Sequence, residues 1–197
     1  MEQLLQVGVF SSTHGVKGEF MAKLTYDIPK DYTVIDLETT GTSPAKSEII
    51  EIACLKYRNG EQVEAIQQLV RPRRRISYFI QNFTGITNEM VADAPMIEEV
   101  LPAISAFLQG ETIVGHNVNF DMNFLKAQGV NFDGWYLDTL YLSRKLLKNV
   151  SCHKLEYLCD YFGIVDTHHR AASDCLMTNE LMYRLSSLPE YQKLSAM

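Results

Sequence analysis

The sequence predicts an α/β fold built on a mixed sheet, because locally paired strands are followed by strands that alternate with helices. The runs 49–57 and 62–70 flank Asn59-Gly60, a strong hairpin signal. Together with the β-rich run 32–37, they predict an antiparallel meander of three strands. From residue 96 onward, amphipathic helices alternate with short apolar strands, which is typical of parallel strands joined by helices.

The later elements follow from the spacing of their apolar residues. Helices are predicted over 96–109, 120–128, 139–148, 153–162 and 171–186. Short buried strands are predicted over 112–114 and 135–137. At the amino terminus, two apolar runs within 7–21 predict a hairpin that is too small to hold a core of its own.

The chain of 197 residues has room for one ordinary domain. Charge and proline interrupt the apolar pattern at 27–31 and mark the strongest boundary. We therefore predict an appendage over 1–30, a domain over 31–188 and a tail over 189–197.

Composition narrows the class of protein. Apolar residues make up 46% and charged residues 21%, as in a soluble globular protein. The net charge of -6 excludes a polybasic nucleic-acid coat, so that local features must hold any anionic partner. The four cysteines form no C-x-x-C pair, and the chain has neither a membrane-spanning run nor a basic signal region. These features predict a cytoplasmic protein with reduced thiols and no membrane partner.

Asp36 and Glu38 form the first acidic motif, at the end of an apolar strand. Side chains alternate along a strand, so both carboxylates point to the same face. Like charges this close favour a divalent cation such as Mg²⁺, which prefers oxygen ligands. Taken alone, the pair also fits a turn-capping acid beside a solvent-facing one.

Two further motifs lie at the ends of other elements. Asp121 falls in the first turn of the helix that follows strand 112–114, where an acid also complements the helix dipole. Asp174 lies on the last long helix, five residues after His169, and a neutral imidazole suits a general base. Each motif has a plain structural alternative, but their conjunction predicts a catalytic site.

The three motifs resemble those of the DEDDh exonuclease family, which includes RNase T and the proofreading subunit or domain of bacterial DNA polymerase III. They read D-L-E-T-T-G (36–41), H-N-V-N-F-D (116–121) and H-H-R-A-A-S-D (168–174). T-G-I-T (84–87) and D-T-L (138–140) are also similar to the family. The resemblance covers 32–186 and is greatest to the PolC form of the polymerase.

This resemblance implies a ribonuclease H-like fold and 3′→5′ removal of nucleotides by two divalent ions, Mg²⁺ or Mn²⁺. It implies that His169 is the general base and that the metals are held by four carboxylates, Asp36, Glu38, Asp121 and Asp174. The substrate is expected to be a single-stranded 3′ end of DNA, with a DNA polymerase III complex as a possible partner.

Substrate-binding residues are predicted around the first two motifs. Gly41 permits a close turn, so the backbone of Thr39–Gly41 is expected near the terminal nucleotide, with Thr40 on its sugar. Phe120 is a candidate for base stacking, although a core position fits it equally. Asn117 is included in the site, although fixing the loop is an alternative role. Asp138 is interpreted as a helix cap and left out of the ligand set.

Several alternatives stay open at this stage. The same fold suits an exoribonuclease that trims RNA, or a non-catalytic module that binds nucleic acid or ribosomes. The basic run Arg71–Arg75 fits either a backbone-tracking segment or a solvated loop. Cys152, His153, Cys159 and His168 have the wrong spacing for a zinc finger, which favours core packing. Residues 5–20 resemble the opening of the ribosome maturation factor RimM, over too short a span to carry that function across.

Overall fold

The structure is a computed structural model, and it describes residues 23–165 and 170–195. The predicted hairpin at 7–21 and the RimM-like segment 5–20 lie outside the described residues. The same holds for His168 and His169, so the predicted general base has no described position.

Six strands form one mixed sheet in the order β1-β6-β5-β2-β3-β4. They are β1 Lys23–Leu24, β2 Asp31–Thr39, β3 Ile49–Arg58, β4 Glu61–Leu69, β5 Ile113–Gly115 and β6 Trp135–Asp138. The meander β2-β3-β4 is antiparallel, whereas β5 runs parallel to both β2 and β6, and β1 runs parallel to β6. The predicted mixed sheet is confirmed.

Seven helices are described, and five of them match predicted helices within a few residues. They are α1 Tyr78–Thr84, α2 Ile97–Leu108, α3 Asn119–Ala127, α4 Thr139–Leu146, α5 Leu155–Phe162, α6 Ala171–Ser186 and α7 Pro189–Ser195. No helix of the described ranges is long and apolar enough to cross a membrane.

The short helix α1 was not predicted, because its aromatic residues do not form a buried stripe. Tyr78, Phe79 and Phe83 are all exposed. Its ends do carry signals, since the Ser77 hydroxyl accepts a hydrogen bond from the Ile80 N–H and Gly85 takes the left-handed conformation. Capping residues, rather than apolar periodicity, were the available evidence for this helix.

The two faces of the sheet pack against different helices. Along β2, Ile35 and Leu37 face a core shared with α2 and α3. Val34 faces the other way, into a core that includes Ala171 and Cys175 of α6. This alternation places Asp36 and Glu38 on the α6 face of the sheet.

The described ends of the chain contact this same domain. The Tyr191 hydroxyl of α7 donates to the Tyr26 carbonyl oxygen at 2.8 Å and accepts from the Ile28 N–H at 3.1 Å. β1 extends the sheet beyond β6. The boundaries at 31 and 188 stay predictions, with ordered contacts on both sides of each.

Candidate active site

Three carboxylates converge at the carboxyl end of β2. One side-chain oxygen each of Asp36, Glu38 and Asp174 lies within 4.8 Å of the others. The first two belong to β2, and Asp174 lies in the first turn of α6, which packs on the same face. Residues 138 positions apart thus meet because α6 crosses the strand that carries the other two acids. This group is called the carboxylate cluster below.

The carboxylate cluster is electrostatically strained. Burial is the main reason that the pKa of Asp36 lies well above its usual value, and the charges of Asp121 and Asp174 are the next largest causes. Burial also raises the pKa of Glu38 to about 8, with Asp174 adding to the rise and Arg170 opposing it. Such a site favours protons or a cation, and its oxygen donors fit a hard divalent ion such as Mg²⁺ or Mn²⁺.

Asp121 approaches from the opposite layer of the domain. It lies in the first turn of α3 and is buried, and its Oδ1 accepts a hydrogen bond from the Leu37 N–H at 3.0 Å. Leu37 stands between Asp36 and Glu38, so this bond ties α3 to the strand that carries the site. Asp121 is not one of the three acids within 4.8 Å. Its role as a metal ligand therefore stays a prediction.

The loop after Glu38 is held mostly by its own hydrogen bonds. The Thr39 hydroxyl donates to the Gly41 carbonyl oxygen at 2.7 Å, and the Thr40 hydroxyl accepts from the Glu48 N–H at 2.9 Å. A side chain at Gly41 would place its Cβ 2.7 Å from the Ser47 hydroxyl oxygen. Any larger residue at this position would therefore displace the Ser47 hydroxyl. Contact of the loop with substrate stays a prediction.

Asn117 and Phe120 take different positions at the start of α3. Asn117 is exposed and has a φ of 66°, and its N–H donates to Asp138 Oδ1 at 2.9 Å. Phe120 is half-buried against the core and packs on Phe124 with ring centroids 4.9 Å apart. Asp138 also accepts from the Leu140 N–H at 2.9 Å and caps α4, as predicted.

The strained backbone of Asn117 leads to a stability prediction. Replacing it with alanine is expected to lower the free energy of unfolding by about 1 kcal/mol, because only glycine and asparagine adopt this conformation readily. Asn117→Gly should stay within about 0.5 kcal/mol of the parent. Asn59, with a φ of 52° in the turn between β3 and β4, is a second test position, where alanine should have a similar effect. Urea denaturation measures the difference, and equal stability of the alanine and glycine variants would contradict it.

Within residues 23–165 and 170–195, the carboxylate cluster is the one group of acidic, histidine or cysteine side chains close enough to hold a metal ion. Cys159 is buried, and the His116 ring lies between Thr139 Oγ1 at 2.9 Å and the His153 carbonyl oxygen at 2.8 Å. Of the four residues considered for zinc, the three described ones, Cys152, His153 and Cys159, form no such group, and His168 lies outside the described residues.

The basic run Arg71–Arg75 is exposed and carries ion pairs. Arg73 pairs with Glu98, and Arg74 lies 3.6 Å from Glu48. These surface contacts fit the solvated-loop interpretation of the run.

Glu51 and Arg170, which no motif identified, form a salt bridge beside the carboxylate cluster. Their closest atoms, Arg170 Nη2 and Glu51 Oε1, are 2.5 Å apart. Glu51 is fully buried and lies opposite Glu38 in the β2–β3 register. The available signal was Glu51 itself, the one charged residue in the apolar run Ile49–Leu55. A charge in a buried strand indicates that another segment supplies a partner.

The mixed sheet flanked by helices is the predicted ribonuclease H-like fold. A family model described as "Exonuclease" matches residues 33–182. The chain belongs to this exonuclease family.

The similar curated proteins are longer polymerases. The chain is 41% identical over 160 residues to "DNA polymerase III PolC-type" of Caldanaerobacter subterraneus subsp. tengcongensis, covering 79% of this chain and 11% of the relative. It is 37% identical over 178 residues to the protein of the same name from Thermotoga maritima, covering 83% and 13%. The chain thus spans only about a tenth of the length of these relatives.

Solved structures of exonucleases share the fold. "Exonuclease X in complex with 5' overhanging duplex DNA" superposes with a TM-score of 0.66 at 31% identity, covering 79% of this chain and 90% of that one. An exonuclease I structure superposes with a TM-score of 0.72 at 18% identity, covering 85% and 44%, and shows the fold alone.

Proposed function

We propose that the chain is a metal-dependent 3′→5′ exonuclease that releases nucleoside 5′-monophosphates from the 3′ end of DNA. The observation that supports this most strongly is the carboxylate cluster at the end of β2. Membership of the exonuclease family supports the reaction class. The polymerase relatives and the DNA in the Exonuclease X complex favour DNA as the substrate.

Asp36, Glu38 and Asp174 would hold divalent ions, and Asp121 would complete the ligand set. When bound, such ions neutralise charge on the phosphate and lower the pKa of an attacking water. Without them, four acidic groups would repel a phosphodiester. The raised pKa values of Asp36 and Glu38 support this proposal, because burial and neighbouring acids both disfavour the charged carboxylates.

His169 would take the proton from the attacking water, as its place in the third motif implies. It directly precedes Arg170 in the sequence, and Arg170 is the N-cap residue of α6. Asp174 lies one turn further along this helix. The proposed base and one proposed ligand therefore belong to the same short segment of the chain.

We propose further that the chain acts beside a DNA polymerase III. The support is that its relatives of this name are about seven times longer and match it over this region alone. Thr39–Gly41, Asn117 and Phe120 would contact the terminal nucleotides, because they flank the carboxylate cluster on β2 and the start of α3.

A direct assay tests this function. A 5′-labelled single-stranded DNA incubated with Mg²⁺ or Mn²⁺ should give a ladder of products shortened by single nucleotides, and excess chelator should abolish it. An RNA strand of the same sequence should be degraded more slowly, and a blocked 3′ end should protect DNA. An intact oligonucleotide with either metal would contradict the proposal, and faster loss of RNA would change the substrate.

A further inference from the structure

Glu51 occupies a costly position that no proposed step uses. It lies on β3, between β2 and β4, directly opposite Glu38, with 0% of its surface exposed. Its oxygens are not among those of the carboxylate cluster. A buried carboxylate this close to other acids adds repulsion, so it requires strong compensating contacts.

Both oxygens of Glu51 receive several hydrogen bonds. The Arg170 guanidinium donates to Oε2 at 3.0 Å from Nε and to Oε1 at 2.5 Å from Nη2. Gln67 on β4 donates from Nε2 to Oε1 at 3.0 Å, and the Ala171 N–H donates to Oε2 at 3.2 Å. One carboxylate thus joins β3, β4 and the start of α6. Because two nitrogens of Arg170 donate to the two oxygens of Glu51, they fix the orientation of the guanidinium as well as its distance from the carboxylate.

These bonds act on the turn that carries Asp174. Arg170 is the N-cap residue of α6, and its carbonyl oxygen accepts the Asp174 N–H at 3.0 Å. Glu51 holds the side chain of Arg170 and the first N–H of the helix, that of Ala171. The orientation of the first helical turn relative to the sheet is therefore set by Glu51. Asp174 lies in this turn and faces Asp36 and Glu38.

The guanidinium also supplies a fixed positive charge. Arg170 opposes the rise in the pKa of Glu38, whereas Asp174 and Glu51 add to it. Because Glu51 balances this cation, Arg170 stays beside the carboxylate cluster without needing Glu38 as its partner. Glu38 thus keeps its oxygens available for a metal ion.

We propose that Glu51 and Arg170 form a brace that holds Asp174 in position for metal binding before any metal arrives. The two are positioning residues, and the inference rests on the proposed function of the carboxylate cluster. Polar partners that orient metal ligands commonly change metal affinity by about 10- to 100-fold when mutated.

Calorimetric titration with Mn²⁺, without nucleic acid, tests the brace in the full chain. Glu51→Gln should weaken Mn²⁺ binding about 10- to 100-fold. Arg170→Lys keeps the charge and loses the fork of hydrogen bonds, so it should weaken binding as well. Glu180→Gln is the matched control, since it removes an Arg184 salt bridge from the exposed side of the same helix. It should bind Mn²⁺ like the parent.

A double variant separates position from charge. Glu51→Gln alone frees the guanidinium to compete for Glu38, whereas Glu51→Gln with Arg170→Met removes both charges. If position matters, the double variant stays at least about 10-fold weaker than the parent. Recovery of parental affinity would overturn the brace in favour of a pure charge effect.

Two other outcomes are informative. If the variants lower the melting temperature but bind Mn²⁺ like the parent well below that temperature, the pair is merely structural and the inference fails. If the parent itself binds no Mn²⁺, the proposed function fails instead. Circular dichroism in chelator establishes whether each variant is folded. If Glu51→Gln does not fold, Arg170→Lys provides the test of the brace.

Discussion

Asp36→Asn is expected to lower exonuclease activity by at least about 10³-fold, equivalent to about 4 kcal/mol of transition-state stabilisation. Asp36 is surrounded by negative charge, since four other acids raise its pKa in addition to burial. An amide of the same shape keeps the packing and removes the anionic ligand. The expected loss therefore comes from metal binding and not from unfolding.

The same substitution should stabilise the metal-free protein. Removing one buried charge relieves repulsion from Asp121, Asp174 and Glu38, so the melting temperature in chelator should rise. Asp93→Asn is the control, because Asp93 is an exposed acid in a turn outside the site. It should leave both activity and melting temperature unchanged. Parental activity in Asp36→Asn would remove Asp36 from the catalytic site.

The second large effect concerns pH in the metal-free protein. Between pH 6.5 and 8 we expect its stability to fall, because burial and Asp174 raise the pKa of Glu38 to about 8. The unfolded chain has released this proton above about pH 4.5. The folded state then binds more protons than the unfolded state, so rising pH favours unfolding.

Below pH 6.5, His116 opposes this trend. Burial lowers the pKa of His116 to about 4, so His116 makes stability rise with pH up to its unfolded value near 6.5. Glu51 and Glu111 have lowered pKa values and act only in more acidic solution. Above pH 6.5, the carboxylate cluster and Asp121 are the main described groups that bind more protons in the folded state than in the unfolded state.

A divalent ion should reverse this trend. Mn²⁺ at 100 times its Kd is expected to add about 2.7 kcal/mol. For a domain of this size, that raises the melting temperature by roughly 5–11 °C. Because the metal competes with protons, the increase at one fixed Mn²⁺ concentration should grow from pH 6.5 to pH 8. Scanning fluorimetry at both pH values, with chelator or Mn²⁺, measures it. A metal-free melting temperature that rises over this window would contradict the assignment.

Local patterns accounted for most of the fold. Alternation along 32–37, the Asn59-Gly60 turn and the helical spacing of 171–186 each depend on residues a few positions apart, and the structure places a strand, a hairpin and a helix there. Helix α1 was missed because its three aromatic residues point into solvent. Apolar residues predict a helix only when their spacing places them on one buried face. The aromatic face of α1 is exposed.

The candidate site was predictable in its residue types but not in its geometry. The motifs placed Asp36, Glu38 and Asp174 in one site, and the structure brings their oxygens within 4.8 Å. The same motifs treated Asp121 as an equal partner, whereas the structure gives it a distinct role as acceptor of the Leu37 N–H. The hydrogen bond from the Leu37 N–H to Asp121 Oδ1 depends on how α3 packs against β2, which the motifs do not specify.

The sequence by itself determined that acidic residues stand at the ends of three elements, in the order of the three exonuclease motifs. This was possible because spacing and residue type are local properties. Only the tertiary structure decided that Glu51 is a partner of Arg170, which lies 119 positions away. A buried charge is tolerated only where a distant segment supplies its counter-charge. The packing of α6 on β3 creates that contact, and no local pattern encodes it.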